Sequence, residues 1–206
     1  MAGNVYENLL SLQVKADLVT NEGSVEKARY VEQHTNHMIV RIDSGEEKIE
    51  RIRNLYAIEF EKYDAIVISD YNKGFLTQED IEFIGTQHSL VFMDTKKILG
   101  EWAQHITFIK INEVEYERTH YTIRDKKWPS QSLIITRGSG GCSYKEETFP
   151  VSKVEIKDLS GAGDTFLAAM VAKYLETTNM RLSLKFANDC ATQVVQQKGV
   201  TTINDF

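Results

Sequence analysis

The sequence predicts an α/β fold in which a mainly parallel sheet is flanked by helices. Four short apolar runs between residues 64 and 137 each end in a polar residue, and helix-like sequence follows most of them. This alternation is typical of α/β proteins. The length of 206 residues and the hydrophobic content of 42% suit a globular domain with a sizeable core. We therefore expect a single domain over residues 1–206.

The four predicted strands end in residues that are suited to bind a ligand. They cover residues 65–69, 90–93, 108–111 and 133–135, and they lead to Asp70, Asp94, Asn112 and Thr136-Arg137. Strands also end in polar turns for structural reasons alone. Ligands of open parallel sheets bind at the carboxyl ends of the strands, so four such endings together favour a single crevice.

Three helices are predicted beside these strands. Glu46 to Phe60 carries apolar residues at three- and four-residue spacing, and Thr77 precedes early acidic residues in an N-terminal capping pattern. Near the C-terminus, an apolar stripe over residues 186–195 predicts a core helix with Asn188 at its margin.

The first 45 residues follow a different pattern. Residues 1–12 fit a helix, residues 15–20 a strand, and residues 27–31 and 37–42 two alternating strands around a polar turn. The alternating strands predict a small β-rich flap over residues 25–43.

Composition excludes several classes of protein. The formal charge of −6 and the pI near 5.4 argue against a nucleic-acid-binding surface or a polybasic membrane anchor. No apolar run approaches the roughly 18 residues that a membrane helix requires, and we expect a cytoplasmic protein with a small-molecule partner. Cys142 and Cys190 lack the spacing of a zinc site or a disulfide framework, which predicts buried reduced thiols.

The most informative segment is residues 158–164, DLSGAGD, which leads directly into an alanine-rich apolar helix. A helix that begins at a small-residue turn presents unpaired N–H groups and the positive end of its dipole, and both attract phosphate. Asp164 in that turn is well placed to accept a proton from a substrate hydroxyl. The alternative interpretation is that Asp164 only caps the helix. The segment is neither a P-loop nor a dinucleotide fingerprint.

This segment resembles the C-terminal signature of the ribokinase/PfkB family of sugar kinases, and further landmarks appear in that family's order. Residues 110–115 resemble its Asn-x-x-Glu element, residues 135–141 its nucleotide-binding strand and turn, and residues 185–190 its adenine-side helix. More narrowly, residues 27–31, 41–43, 69–74 and 93–96 resemble the heptose-7-phosphate kinase branch. The resemblance covers most of residues 60–203 and implies a three-layer ribokinase-like fold.

The resemblance implies a role for each matching residue. Asp164 would be the catalytic base, and the amides of Gly161, Ala162 and Gly163 would form an anion hole. Asn112 and Glu115 would act on Mg²⁺ through water, which suits a cation that keeps its waters; N-capping is the alternative for Asn112. The implied ATP pocket would be bounded by Asn112, Glu115, Thr136, Arg137, Gly138, Gly141 and Asn188.

The acceptor side departs from the family pattern. No strand matches the one that precedes Gly3-Asn4 in the family, and a strand–helix segment has no counterpart between Thr20 and Val25. We therefore expect a sheet that is curtailed on its N-terminal side. The residues proposed to bind the acceptor are Gly3, Asn4, Arg29, Asp70 and Lys73, although a solvated side chain is the simpler interpretation of Lys73.

Two functions follow from this pattern. The first is an ATP-dependent, Mg²⁺-requiring kinase for a sugar or sugar phosphate. The second is a shortened family member that binds nucleotide or a protein partner and transfers nothing. An exposed sheet edge also predicts a homodimer.

Overall fold

The structure is a computed structural model that describes residues 2–23, 25–32 and 38–203. The predicted helix over residues 1–12 includes Met1, and the predicted strand over residues 37–42 includes His37. These two residues lie outside the described ranges. The α-helices are α1 (Ala2–Ser11), α2 (Gln78–Gln87), α3 (Glu113–Ile123), α4 (Pro129–Ser132), α5 (Ala162–Thr177) and α6 (Met180–Val194). The strands are β1 (Glu26–Val31), β2 (Met38–Ser44), β3 (Ile66–Asp70), β4 (Val91–Thr95), β5 (Phe108–Asn112), β6 (Leu133–Thr136), β7 (Cys142–Tyr144) and β8 (Glu147–Phe149).

The central sheet has six strands in the order β3-β4-β5-β6-β7-β8. The strands from β3 to β6 are parallel, and β7 and β8 complete the sheet as an antiparallel hairpin. The parallel strands lie close to their predicted positions because each apolar run is buried between layers. The α/β fold with a mainly parallel sheet is therefore confirmed.

Each face of the sheet packs against its own group of helices. Phe92 and Phe108 point to the face covered by α1, α5 and α6. Their neighbours Met93 and Ile109 point to the opposite face, which is covered by α2 and by part of α3. This alternation follows from the two-residue period of a strand, and it gives the three layers that the resemblance implied.

Two predicted local features are found in the structure. The Thr77 side chain accepts a hydrogen bond from the Asp80 amide, and the Asp80 carboxylate accepts one from the Thr77 amide, which completes a capping box at α2. Cys142 and Cys190 are buried free thiols, and burial raises the pKa of each to about 12.

The predicted helix over Glu46 to Phe60 is wrong. These residues form short 3₁₀ turns at Glu46–Lys48, Leu55–Ala57 and Phe60–Lys62. The amide of Ile52 donates to Phe75 O at 2.9 Å, which removes it from any helical ladder. Contacts with distant parts of the chain thus outweigh the helical spacing of the apolar residues in this segment.

The predicted strand over residues 15–20 is also wrong. Residues 15–20 belong to no strand or helix of the described chain, and the Tyr63 hydroxyl donates a hydrogen bond to Asp17 Oδ2 in this segment at 2.9 Å. A strand forms only where a neighbouring backbone pairs with it, and this segment lies along the rim of a cavity.

The predicted flap is present as a two-stranded antiparallel sheet of β1 and β2, which pairs in one register from Glu26 opposite Ser44 to Tyr30 opposite Val40 and shifts register before Val31, which lies opposite Met38. Lys27 and Arg41 both approach Asp43, at 3.6 and 2.8 Å. Within the described part of the chain, no helix is long and apolar enough to cross a membrane.

Candidate active site

The predicted anion-binding turn lies at the N-terminus of α5. Gly161 is the N-cap residue, with φ of 83°, a left-handed conformation that favours glycine. A Cβ atom at Gly161 would lie 2.9 Å from Asn4 Nδ2, so a larger residue would also disturb α1. Amides in the first turn of a helix have no carbonyl partner within that helix and attract anions; the Ala162 amide donates to Leu159 O, before the helix, at 3.4 Å.

Asp164 lies in this first turn and is almost completely buried, with 4% of its surface exposed. Its Oδ2 atom accepts a hydrogen bond from Asn4 Nδ2 at 3.0 Å, and its Oδ1 atom accepts one from the Tyr71 hydroxyl at 2.9 Å. Asn8, one helical turn after Asn4, donates to Asn4 Oδ1 and fixes the orientation of that amide. The carboxylate is thus oriented by donors from two other elements.

A buried ion pair lies behind the turn. Lys110 Nζ is 2.6 Å from Asp94 Oδ2, and both side chains are nearly inaccessible. A Cβ atom at Gly163 would lie 3.0 Å from Lys110 Nζ, so the lysine approaches the turn closely because that residue is glycine. Burial raises the pKa of the Asp94 carboxyl, and the positive charge of Lys110 opposes this shift.

Asn112 and Glu115 lie together at the start of α3. Asn112 Oδ1 accepts from the Glu115 amide, and Glu115 Oε2 accepts from the Asn112 amide, each at 2.8 Å. This capping box is the structural alternative that the sequence left open for Asn112. Glu115 Oε1 pairs with Lys96 Nζ at 2.8 Å. The described residues hold no group of three or more His, Cys, Asp or Glu side chains arranged for a metal.

The predicted nucleotide residues lie at the next strand end. Thr136 of β6 is in register with Asn112 of β5, and Arg137 follows it and donates to Ser143 Oγ at 2.6 Å. Gly138 and Gly141 both have positive φ. At Gly141 a Cβ atom would fall 2.0 Å from Phe149 O, so only glycine fits.

Asn188 differs from its predicted place at the margin of the apolar stripe. It is 5% exposed, and its Nδ2 atom donates to Phe149 O at 2.9 Å. A buried amide requires a partner, and the sequence pattern could not show that a strand-end carbonyl would supply it.

The predicted acceptor residues occupy different settings. Gly3 and Asn4 lie on α1 beside Gly161 and Asp164. Lys73 pairs with Glu46 at 2.5 Å rather than being solvated alone, and Arg29 is exposed. Asp70 is buried and accepts bonds from the Asn72 amide, Thr95 Oγ1 and Lys97 Nζ. The structure therefore gives Asp70 a structural role in the turn after β3.

A cavity of about 1320 Å³ extends from Asp164 along the outer edge of β3. Among the described residues, β3 pairs with β4 alone and is the edge of the sheet. The cationic residues that line the cavity are Lys15, Lys27, Arg29, Lys62 and Lys73. A large opening thus lies on the acceptor side of the candidate base.

Sequence reasoning gave no role to Tyr71, Asn8 or Lys110. Tyr71 directly follows a strand that ends in a polar residue, a position that could have indicated a site residue. Asn8 lies one helical turn after Asn4, and this spacing could have indicated that the two side chains share one face of the helix. Lys110 interrupts an apolar run, a pattern that indicates a paired buried charge.

Comparisons with known proteins agree with this geometry. A family model described as pfkB family carbohydrate kinase matches residues 76–205. The bifunctional protein HldE of Nitratiruptor sp. is 28% identical over 249 aligned residues, which include 98% of this chain and 54% of HldE. The chain thus spans about half the length of that curated relative. The aligned region is longer than the chain itself, so HldE carries residues there that have no counterpart here.

Two solved structures show the same fold at low sequence identity. Burkholderia thailandensis nucleoside kinase in complex with inosine has a TM-score of 0.75 and 13% identity, and the match covers 97% of this chain and 78% of that one. Arabidopsis thaliana ribokinase complexed with ribose and ATP has a TM-score of 0.67 and 16% identity, with coverages of 93% and 70%.

Proposed function

Since the chain belongs to the pfkB family of carbohydrate kinases, we propose that it is an ATP-dependent, Mg²⁺-requiring phosphotransferase that acts on a hydroxyl of a sugar or sugar phosphate. The observation that carries the proposal is the buried carboxylate of Asp164 in the first turn of α5. A base and an anion hole in one turn are the two parts that phosphoryl transfer needs most.

In the proposed reaction, Asp164 accepts the proton of the acceptor hydroxyl as that oxygen attacks the γ-phosphorus of ATP. The bond from phosphorus to the bridging oxygen of ADP breaks, and the products are ADP and a phosphate ester. The amides of Gly161, Ala162 and Gly163 would hold the phosphoryl oxygens. Lys110 Nζ, close behind Gly163, would add positive charge where negative charge develops.

The nucleotide would lie across the ends of β5 and β6. Thr136, Arg137, Gly138 and Gly141 would bound its pocket, and Asn188 would support the pocket through Phe149 rather than contact adenine directly. When bound, Mg²⁺ would neutralise phosphate charge. Asn112 and Glu115 would hold it through water, since their direct bonds are used in the capping box.

The acceptor would enter the cavity beside β3. The similarity to HldE and the resemblance to the heptose-7-phosphate kinase branch favour a heptose 7-phosphate-like acceptor. Lys27, Arg29 and Lys73 at the cavity supply the positive charge that a sugar phosphate requires. The Asn4 amide now donates a hydrogen bond to Asp164, and it would donate to the acceptor hydroxyl instead when the acceptor binds.

The proposal is tested by incubating the purified protein with ATP, Mg²⁺ and a panel of hexoses, heptoses, their phosphates and nucleosides, with ADP release as the readout. Asp164→Asn is the control variant. We expect one sugar or sugar phosphate to dominate and the control to be inactive. ATP binding by calorimetry without turnover of any acceptor would contradict the proposal and select the non-catalytic alternative.

Two further expectations stay predictions. A cytoplasmic location rests on the sequence alone. A homodimer is favoured by the unpaired outer edge of β3, and light scattering during size-exclusion chromatography would give the mass of the particle.

A further inference from the structure

The carboxylate of Asp164 receives a hydrogen bond from a residue that lies outside its own helix. The Tyr71 hydroxyl is 2.9 Å from Asp164 Oδ1. Tyr71 directly follows β3, the edge strand, whereas Asp164 lies in the first turn of α5. The bond therefore connects the acceptor cavity wall to the helix N-terminus, and Asn4 of α1 occupies the other oxygen.

The phenol of Tyr71 acts as a donor in this environment. Burial, and after it the negative charge of Asp164, raises the pKa of Tyr71 well above its ordinary value. A neutral phenol that faces an ionised carboxylate makes a charge-assisted hydrogen bond, which is stronger than a bond between neutral groups. Such a bond stabilises the ionised form of the acid that accepts it.

From this contact we infer that Tyr71 is a positioning residue for Asp164: it fixes Oδ1 and leaves Oδ2, beside Asn4, to meet the acceptor hydroxyl. The inference rests on the proposed function, in which Asp164 is the base. Each carboxylate oxygen has two lone pairs, so Oδ2 has room for the acceptor hydroxyl even while Asn4 is near.

Other charged groups surround this pair, and they come from several elements. Lys27 of β1 and Lys96, which follows β4, lie with their Nζ atoms 5.7 and 5.1 Å from the centre of the Tyr71 ring. Lys110 of β5 lies behind Gly163, and its partner Asp94 of β4 interacts electrostatically with both Tyr71 and Asp164. Among the described residues, the side chains that donate hydrogen bonds to Asp164 are Tyr71 and Asn4.

Lys96 extends the contact toward the nucleotide side. It pairs with Glu115, the proposed partner of Mg²⁺-bound water, while its ammonium group lies over the Tyr71 ring. Tyr71 therefore lies between the carboxylate that would accept the proton and the carboxylate that would face the metal. A change at Tyr71 is expected to alter the base without removing any group that would bind ATP.

The chain supplies a matched control for this contact. Tyr63 also donates a hydrogen bond to an aspartate, Asp17, at the same distance of 2.9 Å. That pair lies at the surface, where Tyr63 is 38% exposed. Tyr63→Phe therefore removes a tyrosine–aspartate hydrogen bond of the same length that does not involve the candidate base.

The test compares the ¹³C NMR signal of the Asp164 carboxyl carbon at neutral pH in the full chain, in the parent, Tyr71→Phe and Tyr63→Phe. The Asp164 signal is assigned from its absence in Asp164→Asn. We expect Tyr71→Phe to shift this signal, because the hydrogen bond to Asp164 Oδ1 is lost. Tyr63→Phe should leave it unchanged. An Asp164 signal at the same position in the parent and in Tyr71→Phe would overturn the inference.

Turnover gives the second readout on the acceptor identified by the panel. We expect kcat to fall in Tyr71→Phe, since the base is no longer held in position, with KM for ATP unchanged. An Asp164 signal that differs between Tyr71→Phe and the parent, in a parent that turns over no acceptor, would sink the proposed function and leave the contact with Asp164 established. Turnover by the parent with no change in either readout for Tyr71→Phe would sink the role of Tyr71 alone.

Replacement of Tyr71 by 3-fluorotyrosine keeps the test decisive if the phenylalanine variant unfolds. Fluorine makes the phenol a stronger donor without removing it, so the Asp164 carboxyl signal should move while the fold is kept. An Asp164 signal at the same position in the parent and in the fluorinated protein would overturn the inference.

Discussion

Two regions of the central sheet differ in how completely their polar groups are paired. At the carboxyl ends of the middle strands β5 and β6, the side chains of Asn112 and Glu115 bond to each other's backbone amides, and the turn at Gly141 approaches Phe149 too closely for any side chain. At the edge strand β3, the outer side has no strand partner among the described residues and opens onto a cavity of about 1320 Å³. The proposed nucleotide side is thus held by local bonds, whereas the proposed acceptor side depends on contacts between distant segments.

Asp164 lies where these two regions meet. Its backbone belongs to the helix turn that would hold phosphate, and its carboxylate is oriented by Asn4 and Tyr71 on the acceptor side. Substitutions on the acceptor side should therefore lower the rate of phosphoryl transfer more than they lower the affinity for nucleotide.

The largest effect is expected at Asp164 itself. Asp164→Asn keeps the size of the side chain but removes the base, so kcat should fall about 10³-fold while ATP affinity changes little. Steady-state kinetics and calorimetry on the same samples measure both. Equal turnover in variant and parent would remove Asp164 from the mechanism.

A second large effect is expected at Lys110, the buried cation between the two regions. Lys110→Met leaves Asp94 buried without its partner, which should lower the free energy of unfolding by about 4 kcal/mol. Urea denaturation measures this loss, and adding Asp94→Asn to the same chain should restore part of it.

Lys97 provides the comparison for this result, because it forms a second buried pair with Asp70 at 2.9 Å. Lys97→Met should also destabilise the fold, but unlike Lys110→Met it should leave kcat near that of the parent. Equal loss of kcat in both lysine variants would mean that Lys110 acts through stability alone.

A smaller effect is expected at the nucleotide-side turn. Gly141→Ala should cost on the order of 3 kcal/mol of stability, since its positive φ and its approach to Phe149 O both exclude a Cβ atom. Gly138 also has positive φ but open space around it, so Gly138→Ala should cost only about 1 kcal/mol. Thermal unfolding of the pair separates steric contact from backbone strain, and equal costs would mean that the contact with Phe149 relaxes freely.

The smallest effect concerns the segment that flanks the acceptor cavity. Arg51 anchors residues 46–60 to α2 through two hydrogen bonds to Asp80, at 2.9 and 2.6 Å. Burial opposes ionisation of Asp80, but the bonds from Arg51 and Thr77 outweigh it and lower the pKa of the carboxyl. A lowered pKa in the folded state stabilises the protein above the unfolded pKa of about 3.9 and is lost as pH falls through the folded value.

Asp80→Asn should therefore lower stability by about 1 kcal/mol at neutral pH, and the gap between variant and parent should close as the pH drops below about 4. Unfolding curves between pH 3 and pH 7 measure the gap. Asp125→Asn is the matched control, because Asp125 is exposed and only weakly paired with Arg124. A gap that stays constant with pH would show that Asp80 acts as a cap without a contribution from its charge.

Local sequence patterns gave correct predictions where neighbouring residues decide the structure. The buried strand runs, the capping box at Thr77 and the turn before α5 each depend on a few adjacent residues. The 46–60 helix and the 15–20 strand failed because Ile52 bonds to Phe75 and because no strand lies beside residues 15–20. The single-domain partition over residues 1–206 stays a prediction.

The sequence by itself determined the four parallel strands β3 to β6, the small-residue turn that leads to Asp164 and the family to which these motifs point, since each is written in consecutive residues. Only the tertiary structure decided which donors reach Asp164 and which edge of the sheet is bare. Tyr71 and Asn4 are 93 and 160 positions from Asp164 along the chain. Contacts over such separations depend on how the layers pack, and no local pattern encodes them.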